Sequence, residues 1–388
     1  MSRHKALWTE SAFVQNELSW QADYPQLFGA LVALSDAQTH ALESEDSLLV
    51  FVSAYVPELE LLKTPIATPT RHEWKAPEAA TMGVPERKRV QIEGFVGALL
   101  GSEMALSNRN SVVDWCSGRG LLARAMHHAT GSPVVCLERD TSLHRLDLTE
   151  AIRFLPQDVL EPLPASLLCD SQLHTALHAC GDLHLSMLRQ AAPARVPALA
   201  CSTCCYHFTR ERIYHGVSRA AQKSHLCPTR DELRLATAQT STANTLDRTL
   251  RQRELLWRVA FDLHLRELRG IDLYSRTPSV RKSLLKTNFN TFALALVDQL
   301  ARRGRQDFEF SPLSGLDEAK LMQRAQTKLS VLSRLEKAQL AFRLALERWL
   351  LLDRALYLQE HGYQVEIQKF CAKHQSGRNH VILAKLPI

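Results

Sequence analysis

Residues 111–140, SVVDWCSGRGLLARAMHHATGSPVVCLERD, place an acid, a glycine turn and a second acid at a spacing that suits a nucleoside-bearing ligand. Asp114 closes a β-branched run, Gly118 and Gly120 lie in the turn after it, and Glu138 ends a second apolar run that starts at Val134. Glycines in that turn let the backbone bend sharply and approach a ligand, because no Cβ intervenes. An acid at the end of the second strand can accept hydrogen bonds from both ribose hydroxyls. The dinucleotide pattern G-x-G-x-x-G, which seats a diphosphate on a helix end, is not what this loop carries. It reads D-x-C-x-G-x-G, with Cys116 at the first small position.

An acid that opens such a loop suits an ammonium group better than a diphosphate. S-adenosylmethionine is a ligand of that kind: an amino acid, a sulfonium and a nucleoside. Methyl transfer from its sulfonium is an in-line displacement, which needs alignment, a dry pocket and, for some acceptors, a base. Two further stretches offer such groups: His178-Ala179-Cys180-Gly181-Asp182-Leu183 and Cys204-Cys205-Tyr206-His207.

Together these motifs resemble the class I S-adenosylmethionine-dependent methyltransferases, whose first motif is roughly [D/E]-x-G-x-G-x-G; Cys116 stands where that family usually has glycine. The His-x-Cys-Gly-Asp-Leu and Cys-Cys-Tyr-His stretches resemble a subgroup. It includes methyltransferase-like proteins, the glutathione S-transferase C-terminal-domain-containing proteins and, more distantly, eukaryotic tRNA ribose methyltransferases. The resemblance covers about residues 82–210 and 345–388. It implies S-adenosyl-L-methionine as cofactor, held by Asp114, Cys116, Gly118, Gly120, Glu138, Asp158 and His178, with Asp158 on the adenine amino group. Order along the chain places His178, Asp182, Tyr206 and His207 where strands four and five end, beside the methyl, as the catalytic candidates, with Asp182 or His207 accepting a proton or orienting an acceptor.

Plainer readings stand beside these. Asp158 also fits a turn or N-cap acid, His178 a buried, hydrogen-bonded histidine, and Cys180 a small packing residue. Met82, Pro85, Lys88 and Glu93 loosely match a Met-x-Pro-[basic]-Lys-x-x-Glu element of the subgroup, and equally an amphipathic helix packed on a sheet. Gly377-Arg378-Asn379 matches a Pro-Arg-Asn-like turn in part, and also reads as an ordinary turn. The Asn/Asp-Pro-Pro-[Tyr/Phe] motif of many adenine N6-methyltransferases is absent, which weighs against a base amine as acceptor.

Cys201-x-x-Cys204-Cys205-x-His207 has metal-ligand residue types, and His225 with Cys227 could complete a set. It lies on or just after an expected core strand, where alternate side chains point opposite ways. The expectation is therefore no metal.

The elements that must position these groups follow from pattern. Strand, glycine turn, helix and strand over 111–138 open a parallel sheet. Ile152–Leu155, Leu173–His178 and Val196–Ser202 read as strands three to five. Gly362–Gln368 and His380–Ala384 flank a turn and suit a final antiparallel pair. The expected fold is α/β: a Rossmann-like class I methyltransferase with a seven-stranded, mostly parallel sheet. Residues 1–80 read as a helical N-terminal region whose last part, 64–80, is a linker. Residues 81–209 and 345–388 make the core. Residues 210–344 form a large helical insertion between strands five and six, with two long stretches of three/four apolar spacing.

The 388 residues, 45% hydrophobic and 23% charged, fit a soluble globular protein. No apolar run is long enough to span a bilayer, and no signal-peptide segment opens the chain, so no membrane partner is expected. Nine scattered cysteines suit reduced thiols and a cytoplasmic setting. Arginines crowd residues 210–282 and suit phosphate contacts with RNA, although a solvated helical face explains such charges too. The function expected is methyl transfer, with RNA as first acceptor class and protein as second; the alternative is a non-catalytic, methyltransferase-like binding module.

Overall fold

The computed structural model describes residues 1–69, 72–78, 83–102, 111–144, 150–168, 172–238, 245–304 and 317–387. Met82 lies outside them. The chain divides into two compact units: residues 1–2, 61–239 and 343–388 form one, and residues 3–60 with 240–342 form the other.

The first unit is built on one mixed sheet. Its strands are β1 (Thr68–Pro69), β2 (Ser111–Trp115), β3 (Val134–Glu138), β4 (Ile152–Pro156), β5 (Gln172–Cys180), β6 (Ala198–Cys204), β7 (Gln364–Lys369) and β8 (His380–Lys385), in the order β1-β7-β8-β6-β5-β2-β3-β4. Strand β8 runs antiparallel to both β6 and β7, and the other pairs are parallel. This is the expected seven-stranded Rossmann-like sheet with a two-residue edge strand added. That edge corrects the reading of 64–80 as linker: Thr68 and Pro69 pair with Gln368 and Lys369, and a sheet edge is where proline is tolerated.

Alternation along the strands divides the core into two layers. Val112, Cys136, Leu173, Ala198 and Ala200 pack with Phe95, Val96, Leu99, Leu122 and Met126. Val113, Trp115, Leu137, Ala176 and Cys201 face the opposite way, against Met187, Leu188, Leu351 and Leu358. The helices responsible are Glu86–Leu100 and Leu121–Thr130 on one side, and Asp182–Ala191 and Arg343–Glu360 on the other. The strand order reverses between β2 and β5, which is the switch point where open α/β sheets bind ligands beyond their carboxyl ends.

The second unit is helical. Phe261 on Thr245–Arg269, Phe292 and Leu296 on Phe289–Ala301, and Ala325 on Glu318–Ala341 share one core. Within it Arg266 pairs with Asp262 at 2.8 Å, both nearly buried. The N-terminal helices belong to this unit: Gln339 donates to the Trp8 carbonyl at 2.9 Å and Lys337 to that of Leu42 at 3.3 Å. Residues 210–239, expected to open the insertion, belong to the sheet unit. The connecting helix breaks once, at Phe342. Among the described residues no helix is long and apolar enough to cross a membrane.

Candidate active site

The glycine turn is held by Glu138. Its Oε2 accepts the Gly118 N–H at 2.9 Å, and its Oε1 accepts the Asp140 N–H at 2.9 Å. Ser117 N–H meets the Leu137 carbonyl at 3.1 Å, so the loop is tied along the end of β3. Cys116, Gly118 and Gly120 all have positive φ, at 56°, 56° and 67°. Cys116 keeps the left-handed turn that the usual glycine would make, at the strain a side chain brings there. A Cβ on Gly118 would meet open space, so the cradle above this residue is clear.

Asp114 is buried, with Oδ1 accepting from the Thr175 hydroxyl at 3.2 Å and Oδ2 without a hydrogen-bond partner. Burial pushes its carboxyl up to about 7, against the opposing pull of Thr175 and of the Lys88 ammonium. A buried carboxylate oxygen with no donor invites a cation. The ammonium of S-adenosylmethionine fits that need, Glu138 has oxygen lone pairs left for ribose hydroxyls, and the clear space at Gly118 admits a close approach. Asp158 follows β4. Its Oδ1 accepts the Leu160 N–H at 3.0 Å and Oδ2 lies 3.3 Å from Arg139, and these bonds hold its carboxyl below the usual range. It is an acid cap as well as an adenine candidate.

His178 lies near the end of β5 at φ 64°. Its Nε2 is 2.9 Å from Gln91 Oε1, while Gln91 Nε2 donates to the Gln375 carbonyl at 2.9 Å. That second bond fixes the amide, so the His178 Nε2 carries the proton and Nδ1 carries the lone pair. Nδ1 is buried and has no partner. Burial, reinforced by the Arg378 guanidinium, lowers the ring to about 4, so it is neutral at physiological pH. A neutral imidazole with an unused lone pair can accept a hydrogen bond from an acceptor group.

The remaining candidates separate. Asp182 follows Gly181, whose place admits no side chain: a Cβ there would lie 1.9 Å from the Phe208 carbonyl oxygen. Asp182 Oδ2 accepts the Arg210 N–H at 2.7 Å and lines a cavity of about 590 Å³ with Ser186, Arg189, Arg210 and Tyr214. His207 packs edge-on against Phe208 with centroids 4.6 Å apart, its Nδ1 unpartnered and its pKa lowered by burial. Tyr206 is buried, its hydroxyl 2.9 Å from Thr203 Oγ1 and its ring 5.0 Å from the Arg354 guanidinium. Burial raises its pKa. It packs in the interior rather than facing an acceptor.

Sequence reasoning missed the network beneath these residues. Asp353 Oδ1 accepts from the Ser218 N–H and hydroxyl, both at 2.8 Å, and Oδ2 accepts from Tyr214. Arg354 donates to His184 Nε2 at 3.0 Å and to Tyr214 Oη at 3.1 Å. His184 Nδ1 in turn meets the Ala179 carbonyl at 2.9 Å, which ties the C-terminal helix to the end of β5. Charged Asp353-Arg354 inside WLLLDRALYL was the available signal.

The cysteines regroup. Cys201 points into the apolar layer beside Leu199, away from the others. Cys180, Cys204 and Cys205 come together instead, their sulfurs all within 4.8 Å of one another.

Residues 87–212 match a family model described as a methyltransferase domain. Among solved structures, the plantazolicin methyltransferase BpumL, in complex with a pentazolic desmethylPZN analog and SAH, is 11% identical over 43% of this chain, with a TM-score of 0.25. The match spans 61% of that protein, less than two thirds of its length. The acid-flanked glycine turn, the sheet order and the family match agree: this region is similar to methyltransferase domains, and S-adenosylmethionine is the cofactor its strand ends are built to take.

Proposed function

We propose that this protein transfers a methyl group from S-adenosylmethionine to RNA, with protein as the second acceptor class. Support for methyl transfer comes from one arrangement: the unpartnered Asp114 oxygen, the Glu138-bound glycine turn and the neutral His178 all lie at the carboxyl ends of β2, β3 and β5. When bound, the cofactor supplies the electrophilic methyl. The chain supplies alignment through Asp114 and Glu138, and an unused lone pair at His178 Nδ1.

The RNA reading is supported by five exposed arginines on one short segment, Arg210, Arg212, Arg219, Arg230 and Arg234. The Arg230 N–H donates to the Arg212 carbonyl at 2.9 Å, which places those two side by side. The Arg210 backbone is bonded to Asp182, and Arg234 is close enough to His207 to lower its pKa. Guanidinium groups so arranged suit phosphates. Further along, Arg258 and Arg266 are engaged by Glu254 and Asp262, and Arg234 is paired with Asp231 at 3.4 Å, so the phosphate contacts are assigned foremost to Arg210, Arg212 and Arg230.

The test uses labelled S-adenosylmethionine, the purified protein and an extract of cells that lack it. Label released by ribonuclease supports the proposal. Label released only by protease moves the acceptor to protein. Cofactor binding without any labelled macromolecule favours a small acceptor or a binding module without turnover.

A further inference from the structure

Consecutive cysteines at a strand end do not ordinarily converge, because adjacent side chains on a strand point to opposite faces. Here they converge because the strand stops. Strand β6 ends at Cys204, and Cys205 turns left-handed at φ 44°. The turn brings the second sulfur back to the first. Cys180, the register partner of Cys204 on β5, supplies the third. Its sulfur is 3.2 Å from that of Cys204.

The spacing decides between chemistries. A disulfide needs sulfurs at about 2.05 Å. Thiolates bonded to zinc at about 2.3 Å sit roughly 3.8 Å apart around a tetrahedron. The observed separations, from 3.2 Å to no more than 4.8 Å, straddle the second value. All three residues are free thiols, and none of them is used by the proposed methyl transfer. The sequence alone weighs against a metal because alternate side chains on a strand point to opposite faces, and the set it offers includes Cys201. That residue stays in the core, and Cys180 takes its place.

We propose that Cys180, Cys204 and Cys205 form a three-thiolate site for a soft divalent cation, zinc foremost. Binding exchanges the three thiol protons for the metal and releases them to solvent. Three protein ligands leave the fourth tetrahedral position to water or an exogenous donor. The cation would clamp the ends of β5 and β6 together, beside His178.

Full-length, reduced protein is titrated anaerobically with cobalt(II), then with zinc(II). The expected result is about one cobalt per chain, with thiolate-to-cobalt charge-transfer absorption of a tetrahedral three-sulfur site, lost again on zinc addition. Cys205→Ser should cut the charge-transfer intensity by about a third and weaken binding at least tenfold. Cys201→Ser should change neither. Absence of charge-transfer absorption in the unmodified protein would overturn the proposal, as would equal effects of the two serine variants. Far-ultraviolet circular dichroism and S-adenosylmethionine binding report whether each variant is folded. The titration involves no methyl transfer, so its failure leaves the proposed activity standing.

Discussion

Gln91 sets the proton of His178. Its amide is fixed at one end by the Gln375 carbonyl and accepts from His178 Nε2 at the other, each at 2.9 Å. Two positions on different elements thus decide which nitrogen of a third can meet an acceptor. Gln91→Leu should release that choice. The methylation rate constant should fall about 10- to 100-fold with cofactor affinity unchanged. Single-turnover kinetics beside equilibrium binding separates the two, and a loss confined to affinity would contradict the assignment.

Asp114 makes cofactor binding pH-dependent. Its folded-state pKa is raised to about 7 from an ordinary 3.8, so the free protein holds a proton on it between about pH 4 and 7. An ammonium ligand needs the ionised form, so binding below pH 7 must release that proton. Affinity should weaken by up to about tenfold per unit as pH falls below 7, and level off above it. The same shift makes folding stability fall as pH rises from about 4 to 7, because the native state there binds more protons than the unfolded chain. Asp114→Asn should flatten both dependences. Calorimetric titration in buffers of different ionisation enthalpy counts the proton directly.

Glu138→Ala removes the acceptor of the Gly118 N–H as well as the expected ribose contacts. A hydrogen bond to a charged group contributes about 1.5–3 kcal/mol. S-adenosylmethionine affinity should therefore fall by at least about tenfold, and retention of full affinity would sink the ribose assignment. Glu138→Gln should keep part of it.

Arg354→Met strands Asp353 in the interior. Both side chains are almost fully buried, 3.6 Å apart. Breaking such a pair from one side costs about 3–5 kcal/mol. Urea unfolding should show that loss. The double variant Arg354→Met with Asp353→Leu should recover none of it, since the buried Ser218 N–H and hydroxyl then lose their acceptor.

Gly181→Ala forces a methyl group into the Phe208 carbonyl, at a residue with φ +58°. The β5 turn and the 204–208 segment cannot both keep their places. Loss of about 3 kcal/mol or more of stability is expected, and an unchanged melting temperature would show that the segment yields easily.

Much of the sheet was legible in the sequence because parallel strands buried on both faces read as apolar runs. Val112-Val113, Val134 to Leu137 and Ala198 to Ser202 show this plainly. Glu138 was legible because its place at a strand end is fixed by local pattern. Tyr206 was misplaced because a motif gives order along the chain and not direction in space: its ring turns inward onto Arg354. The grouping of Cys180 with Cys204 and Cys205 was hidden for the same reason, since register between β5 and β6 is a non-local quantity. Gln91 was invisible as a partner of His178, 87 positions away. The joining of residues 3–60 to 240–342 was equally hidden, since each stretch alone shows only amphipathic helices.

That joining has a consequence for biosynthesis. Residues 3–60 emerge from the ribosome about 260 residues before Glu318–Ala341, the helix they pack with. At roughly 5–20 residues per second, they wait about 13–50 s with Trp8, Leu27 and Leu31 lacking their cover. The sheet waits as well: β8 fits between β6 and β7, yet follows β6 by about 180 residues. Until it arrives, β6 is an edge strand with an apolar, unpaired flank, a template for pairing with other nascent chains. Neither unit can be completed on the ribosome before the other has begun, so the two mature as a nested pair.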